Sequence, residues 1–294
     1  MAKVTLPCIN RSTEDYELGD PGKFEIASLH TMPRIAYAAV HVVADPVQNN
    51  NPSIDTAIDW EATINYRRYV WSLGLGVAEA MDTAQRGMGV NWENSLELVK
   101  RSVDAARDFQ IENGGALLAC GAGTDHLEPS PNISVDDVIN AYEEQCHAIE
   151  SAGGRIILMA SRALAMAASS PDDYLKVYER ILSQVKEPVI IHWLGEMFDP
   201  ALKGYWGSDD HWTGMETCLK VIAGKAKKVD GIKISLLDSK KEIAMRNKLP
   251  TGVRMYTGDD FNFPELIAGD DAGYSDALLG IFDAIAPAAS AALG

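Results

Sequence analysis

Lys233 is the residue whose setting most narrowly limits the chemistry it can do. It stands inside Gly231-Ile232-Lys233-Ile234-Ser235, a run otherwise suited to a buried strand, and lysine is rarely buried without a reason. An ammonium withdrawn from water loses stability relative to the neutral amine. Its pKa falls, and the amine can attack a carbonyl carbon to form a Schiff base. The protonated imine then draws electrons from the neighbouring carbon, where a carbon–carbon bond can form or break. A second reading stays open: the amine pairs with Asp230, Asp259 or Asp260, or its stem snorkels to a strand end. Strand parity decides whether Lys233 faces a barrel lumen or a helix layer.

Four other groups of residues have chemistry to offer. His192 closes the run Pro188-Val189-Ile190-Ile191, and an imidazole titrating near neutrality suits proton transfer there; the alternative is a core histidine satisfied by a backbone carbonyl. Glu79 and Asp82 end the run from Leu73 to Ala80. They can orient a hydroxylated substrate, bind a cation or pair with Arg86. Arg162 carries a fork suited to a carboxylate or phosphate, or forms a surface ion pair. Trp193, Phe198, Tyr205, Trp206 and Trp212 share the stretch 193–212. Such a stretch predicts a lid or pocket wall that stacks on a sugar-like ring, with an oligomer contact as the alternative.

These residues need elements to position them, and the chain alternates short apolar runs with helix-spaced segments. The runs are Ile35 to Val43, Leu73 to Ala80, Ala116 to Cys120, Arg155 to Ala160, Pro188 to His192, Gly231 to Ser235, Val253 to Thr257 and Ala277 to Phe282. Between them the spacing predicts helices from Trp60, from Glu93 with Asn91 as N-cap, from Val135 with Ser134 as N-cap, from Pro171 and around Met215. Eight strands mostly separated by helices predict one (β/α)8 barrel over residues 1–294, with a polar leader over about 1–33 and an active site at the strands' carboxyl ends. Only Ala-Pro-Ala-Ala-Ser-Ala-Ala-Leu-Gly follows Ile285. The barrel is therefore expected either to be shortened after strand eight or to have that side covered by a neighbouring subunit, since exposed apolar strand faces would otherwise favour aggregation.

Composition narrows the function classes. The chain of 294 residues is 47% hydrophobic, enough for a large core without disulfide or metal support. A net charge of −16 repels nucleic-acid backbones and anionic membranes. Cys8, Cys120, Cys146 and Cys218 stand alone, without a C-x-x-C pair, and read as reduced thiols of a cytoplasmic protein. No run reaches the roughly 18 apolar residues of a membrane span. Gly74-x-Gly76 and Gly121-x-Gly123 lack the later glycine of a dinucleotide fingerprint.

The Gly-Ile-Lys run, the preceding Pro-Val-Ile-Ile run, the Thr257-Gly258-Asp259-Asp260 turn and the Gly-rich turn after strand three together resemble the dihydrodipicolinate synthase and N-acetylneuraminate lyase superfamily. The segments EAMDTAQRG and HWLGEMFDP look most like a synthase-like bacterial branch of it. That resemblance implies a class I, lysine-dependent aldolase or lyase acting on a 2-oxo acid or sugar-derived carbonyl compound. It implies no cofactor, no metal and a homo-oligomer. Lys233 would be the Schiff-base residue and His192 would stand where the family has a tyrosine. Glu79, Asp82 and Thr83 replace the family's Gly-Thr-Thr-Gly-Glu carboxylate loop, and Arg162 lies near its carboxylate-binding arginine. Trp193, Gly258, Asp259 and Asp260 complete the expected substrate contacts. Two rivals remain: a divalent-metal-dependent barrel isomerase, lyase or hydrolase drawing ligands from His41, Glu79, Asp82, Asp125, His126, His192, Asp259 and Asp260, and a non-catalytic barrel that binds a carbonyl ligand.

Overall fold

The computed structural model describes residues 3–20, 22–51, 55–128 and 130–294. Eight parallel strands close into a barrel: β3 (Ala36–Ala39), β4 (Gly76–Glu79), β5 (Leu118–Ala122), β6 (Arg155–Leu158), β7 (Val189–Leu194), β8 (Val229–Ser235), β9 (Arg254–Thr257) and β10 (Asp276–Leu279). Their order around the barrel follows the chain, with β10 pairing β3 to close it. All eight expected strands are present. The eighth ends at Leu279, because Ile281 and Phe282 already belong to a helix.

Helices α1 (Trp60–Ser72), α2 (Trp92–Asn113), α3 (Val135–Ala152), α4 (Arg162–Ala167), α5 (Pro171–Gln184), α6 (His211–Gly224), α7 (Ser239–Arg246) and α8 (Phe263–Ala268) join successive strands. Their starts follow local rules. Asn91 Oδ1 accepts from the Asn94 N–H, and Ser134 and Asp137 form a reciprocal capping box. Short α9 (Ile281–Ala284) and α10 (Ala286–Leu293) follow β10 and bury Phe282, Ala286, Ala289 and Leu293 against the outer faces of β3 and β10. The chain's own last helices thus cover part of the eighth side. Small alanine side chains let the two-turn α10 pack close to those strands, while an apolar groove between α8 and α10 stays open.

The leader is not wholly irregular. Strands β1 (Lys3–Pro7) and β2 (Thr13–Glu17) form an antiparallel hairpin whose strand residues are all exposed. Of the leader, residues 1, 2 and 21 lie outside the described chain. The following stretch straps the barrel: Ala27 N–H donates to Ser290 Oγ at 3.1 Å, and the backbone of residues 27–29 passes where a Cβ on Gly74 would sit.

Period-2 alternation divides the barrel into two cores. Tyr37, Ala39, Ala78, Ala119, Ile157, Ile190, Tyr256 and Leu278 fill the lumen. Ile191, Trp193, Ile232, Ile234 and Met255 face the helix layer. The lumen's amino-terminal end is sealed by Tyr37 against Tyr256, ring centroids 6.1 Å apart, and by Tyr256 OH donating to Asp230 at 2.6 Å. Arg254 binds the same Asp230 at 2.9 Å. What remains open is the carboxyl end, where barrel enzymes place their chemistry.

Candidate active site

Parity places Lys233 in the lumen. Its neighbours Ile232 and Ile234 are in the outer core, whereas Gly231 packs on the lumen ring of Tyr256. Lys233 is 8% exposed, and burial pulls its pKa below the usual lysine value, with Asp82 and Asp260 pulling the other way. Among the described residues its ammonium makes no ion pair. Asp230 is held by Arg254 and Tyr256, and Asp259 accepts from the N–H groups of Phe261 and Asn262 and from the Asn262 side chain, as a turn cap does. Of Asp230, Asp259 and Asp260, only Asp260 acts on the amine, electrostatically and from beyond ion-pair distance, as Asp82 does.

His192 is the register partner of Lys233 on the adjoining strand. It is 1% exposed. Burial, and then the charge of Lys233, hold its pKa well below the ordinary histidine value. A neutral imidazole is therefore the form present at neutral pH. Its Nε2 lies 3.4 Å from Ser235 Oγ, and its buried Nδ1 has no hydrogen-bond partner. Gly258 makes the arrangement sterically feasible: a Cβ there would stand 2.7 Å from Lys233 Cε and 2.7 Å from the Ile234 carbonyl oxygen. The glycine thus leaves space for the lysine stem, for the Ser235 hydroxyl and for the Ile234 carbonyl.

A cavity of about 170 Å³ opens at the same end, lined by His192, Asp82, Arg86, Thr124, Ser161, Arg162 and Asp199 among others. His192 belongs to this wall and adjoins Lys233, which lies one strand further round. The short 3-10 turn Asp82–Ala84 after β4 carries Asp82 to the wall, and Thr83 sits over Gly280, beside the strand-eight end. Arg162, half-exposed, donates to Asp199 at 2.5 Å. Thr124 and Ser161 share a hydrogen bond of 2.6 Å, and the Tyr205 hydroxyl accepts from the Ser161 N–H.

Several expected contacts fall elsewhere. Glu79 points out of the barrel and is fully buried between α1 and α2, where Arg67 clamps both its oxygens at 2.9 Å and Ser102 donates to it. It lies away from the lumen because Ala78, one residue earlier, takes the inward position. Arg86 pairs with neither Glu79 nor Asp82; it binds Asp125 at 2.6 Å and joins Gln145 and the Gly121 carbonyl. Trp193 faces outward, one residue out of phase with His192. It packs at 6.1 Å from Trp206, which lies at 4.6 Å from Tyr178 of α5. Trp193, Tyr205 and Trp206 are thus core between β7, α5 and α6, and only Phe198 and Trp212 of the aromatic stretch are exposed. The proposed metal ligands also have separate partners: His41 pairs with Asp283 at 2.6 Å and His126 with Gln145 at 2.7 Å. Among the described residues no three His, Cys, Asp or Glu side chains converge on one point.

A family model matches residues 4–294. The chain belongs to the DUF993 family, described as proteins of unknown function. No curated protein matches this chain. Solved structures with the same fold include dihydrodipicolinate synthase from Bacillus anthracis, 14% identical over 89% of this chain and 72% of the other, with a TM-score of 0.59. A 4-hydroxy-tetrahydrodipicolinate synthase from Methylacidiphilum fumariolicum is 15% identical over 88% and 71%, TM-score 0.60. The 2-keto 3-deoxygluconate aldolase from Picrophilus torridus is 17% identical over 86% and 75%, TM-score 0.57. These likenesses are of fold. No helix of the described residues is long and apolar enough to cross a membrane.

Sequence reasoning overlooked Ser235, Thr124, Ser161 and Asp199. Thr124 and Ser161 lie two or three residues beyond β5 and β6, a position that barrel geometry alone marks for attention. Asp199 lies five residues beyond β7, at the start of the connection to α6, where no local pattern singled it out.

Proposed function

We propose that this protein is a Schiff-base-forming aldolase or lyase acting on a small 2-oxo acid or sugar-derived carbonyl compound. One observation carries the reading: Lys233 is buried in the lumen at its open end, without an ion pair among the described residues, beside a buried His192. The resemblance in sequence and the fold shared with synthases and an aldolase support it.

The neutral amine of Lys233 attacks the carbonyl carbon, the carbonyl oxygen leaves as water, and a protonated imine forms. Electrons of the bond beyond the adjacent carbon flow into the imine, giving an enamine and releasing the second carbonyl fragment. The proton lost from that fragment's hydroxyl needs a base, and neutral His192 is placed to accept it. Asp82 and Asp260 stabilise the positive imine nitrogen without neutralising it by direct contact. Arg162, partly engaged by Asp199, offers its remaining donors to a carboxylate, and Thr83, Thr124 and Ser161 meet hydroxyl groups.

The test is borohydride reduction during incubation with a panel of 2-oxo acids and aldehydes. Wild type is expected to be inactivated with a covalent mass increase, and Lys233→Ala to gain none. Turnover of any panel substrate by Lys233→Ala at the wild-type rate would overturn the proposal. A chelator that abolishes turnover while no adduct forms would favour the metal-dependent rival.

A further inference from the structure

The β1–β2 hairpin poses a physical problem. It pairs regularly over five positions, Lys3 with Glu17 through Pro7 with Thr13, yet all ten strand residues are exposed. An isolated two-stranded hairpin is at best marginally stable in water and needs a surface to pack on. This hairpin is also two-faced. Val4 sits opposite Tyr16 and Leu6 opposite Glu14 on one side, while the other carries Lys3, Thr5, Asp15 and Glu17, with Thr5 donating to Asp15 at 2.8 Å. An apolar side on an exposed hairpin marks a contact surface.

A surface of matching character lies beside the strap that follows the hairpin. The strap after the hairpin is fixed to α10 through Ala27 and Ser290. The opposite flank of α10 borders an apolar groove of about 530 Å³, walled by Phe263, Ile267, Phe282, Ile285 and Ala292 and carrying the cation Arg34. Arg34 lies over the Tyr274 ring and donates to two backbone carbonyls, but makes no ion pair among the described residues. The hairpin's apolar side bears one charge, Glu14, likewise without an ion pair. The Arg34 charge also acts on buried Asp276, but neither Arg34 nor Glu14 forms an ion pair among the described residues, and an anion on an apolar face and a cation in an apolar groove are complementary.

We infer that the hairpin of one copy seats Val4, Leu6, Tyr16 and Glu14 in the Arg34 groove of a second copy of this chain. The second copy's hairpin does the same in return. The strap that carries the hairpin and the groove both border α10, so a two-fold axis beside that helix lets each hairpin reach the other's groove, and both contacts form in one closed interface. The hairpin gains the packing surface it lacks, and the groove its cover.

Sedimentation velocity on the full chain tests this. Wild type is expected to sediment as a dimer, at twice 31.9 kDa, and the Val4→Asp/Leu6→Asp/Tyr16→Asp variant as a monomer with unchanged circular dichroism of the barrel. Should that variant fail to fold, Ala292→Asp on the exposed groove wall has the same expected outcome. Charge reversal separates exchange from a hairpin folding back on its own groove. Glu14→Arg and Arg34→Glu should each be monomeric alone, and an equimolar mixture should dimerise, since each hairpin then meets an opposite charge on the other copy. A monomeric wild type, a dimer indifferent to the hairpin and groove substitutions, or a mixture that stays monomeric would each overturn the inference.

Discussion

Replacing Arg67 by methionine is expected to be among the most damaging single changes to this fold, although Arg67 lies on a helix outside the barrel. Its guanidinium and the Glu79 carboxylate are both wholly buried, joined by two hydrogen bonds of 2.9 Å. Methionine keeps most of the stem volume and leaves Glu79 as a buried anion with only Ser102 and the Ala80 N–H to stabilise it. Breaking a buried pair in this way costs about 3–5 kcal/mol. For a domain of this length each kcal/mol lowers Tm by roughly 2–4 °C, so a fall on the order of 10 °C is expected. The double variant Arg67→Met/Glu79→Leu removes both charges and should return to within about 2 kcal/mol of wild type. Urea unfolding followed by circular dichroism measures all three proteins. A single variant as stable as wild type, or a double variant no better than the single, would refute this account of Glu79. A Glu79→Gln protein with wild-type stability and a raised KM would return Glu79 to substrate binding.

Gly258→Ala forces Lys233 Cε from 2.7 Å toward ordinary contact at 3.4 Å, a displacement of about 0.7 Å that should slow borohydride-trappable imine formation by roughly 10²-fold; trapping at the wild-type rate would count against the assigned position of the amine. Glu242 is buried with its oxygens held by Ser275 and Thr257, and burial raises its pKa to about 7. A raised carboxyl pKa gives stability that is present below about pH 4.5 and lost as pH climbs through 7, a loss of roughly 3 kcal/mol by linkage. Unfolding free energies from pH 4 to 8 should show this decline in wild type and its absence in Glu242→Gln. Trp206→Ala removes a fully buried ring and should cost about 3–5 kcal/mol, with KM for any panel substrate unchanged if the ring is core; a raised KM at equal stability would restore it to a pocket.

The barrel was legible in the sequence because buried parallel strands read as short apolar runs, and eight of them alternate with helix-spaced segments. Lys233 and His192 stood out because each is a polar residue inside such a run. Phase was harder to read. His192 and Trp193 are adjacent, and so are Ala78 and Glu79; one of each pair must face the helices, yet their residue types do not say which. Glu79 found Arg67 rather than Arg86 because α1 packs against β4, a tertiary fact carried by no local spacing. The aromatic stretch misled for a similar reason. Loop aromatics can cover a pocket or fill a core, and the three tyrosines Tyr142, Tyr174 and Tyr178 that draw Tyr205 and Trp206 inward come from α3 and α5. The hairpin escaped notice because its strands bury nothing in their own chain, leaving only a weak alternation at Val4, Leu6 and Tyr16.

Peptide mapping of the borohydride-reduced protein by tandem mass spectrometry tests the central claim most directly. After reduction in the presence of an accepted carbonyl compound, the added mass should lie on the Lys233 nitrogen alone, with surface lysines such as Lys220 and Lys240 unmodified. Adduct spread over exposed lysines, with Lys233 recovered intact, would contradict a lumen amine that condenses with substrate.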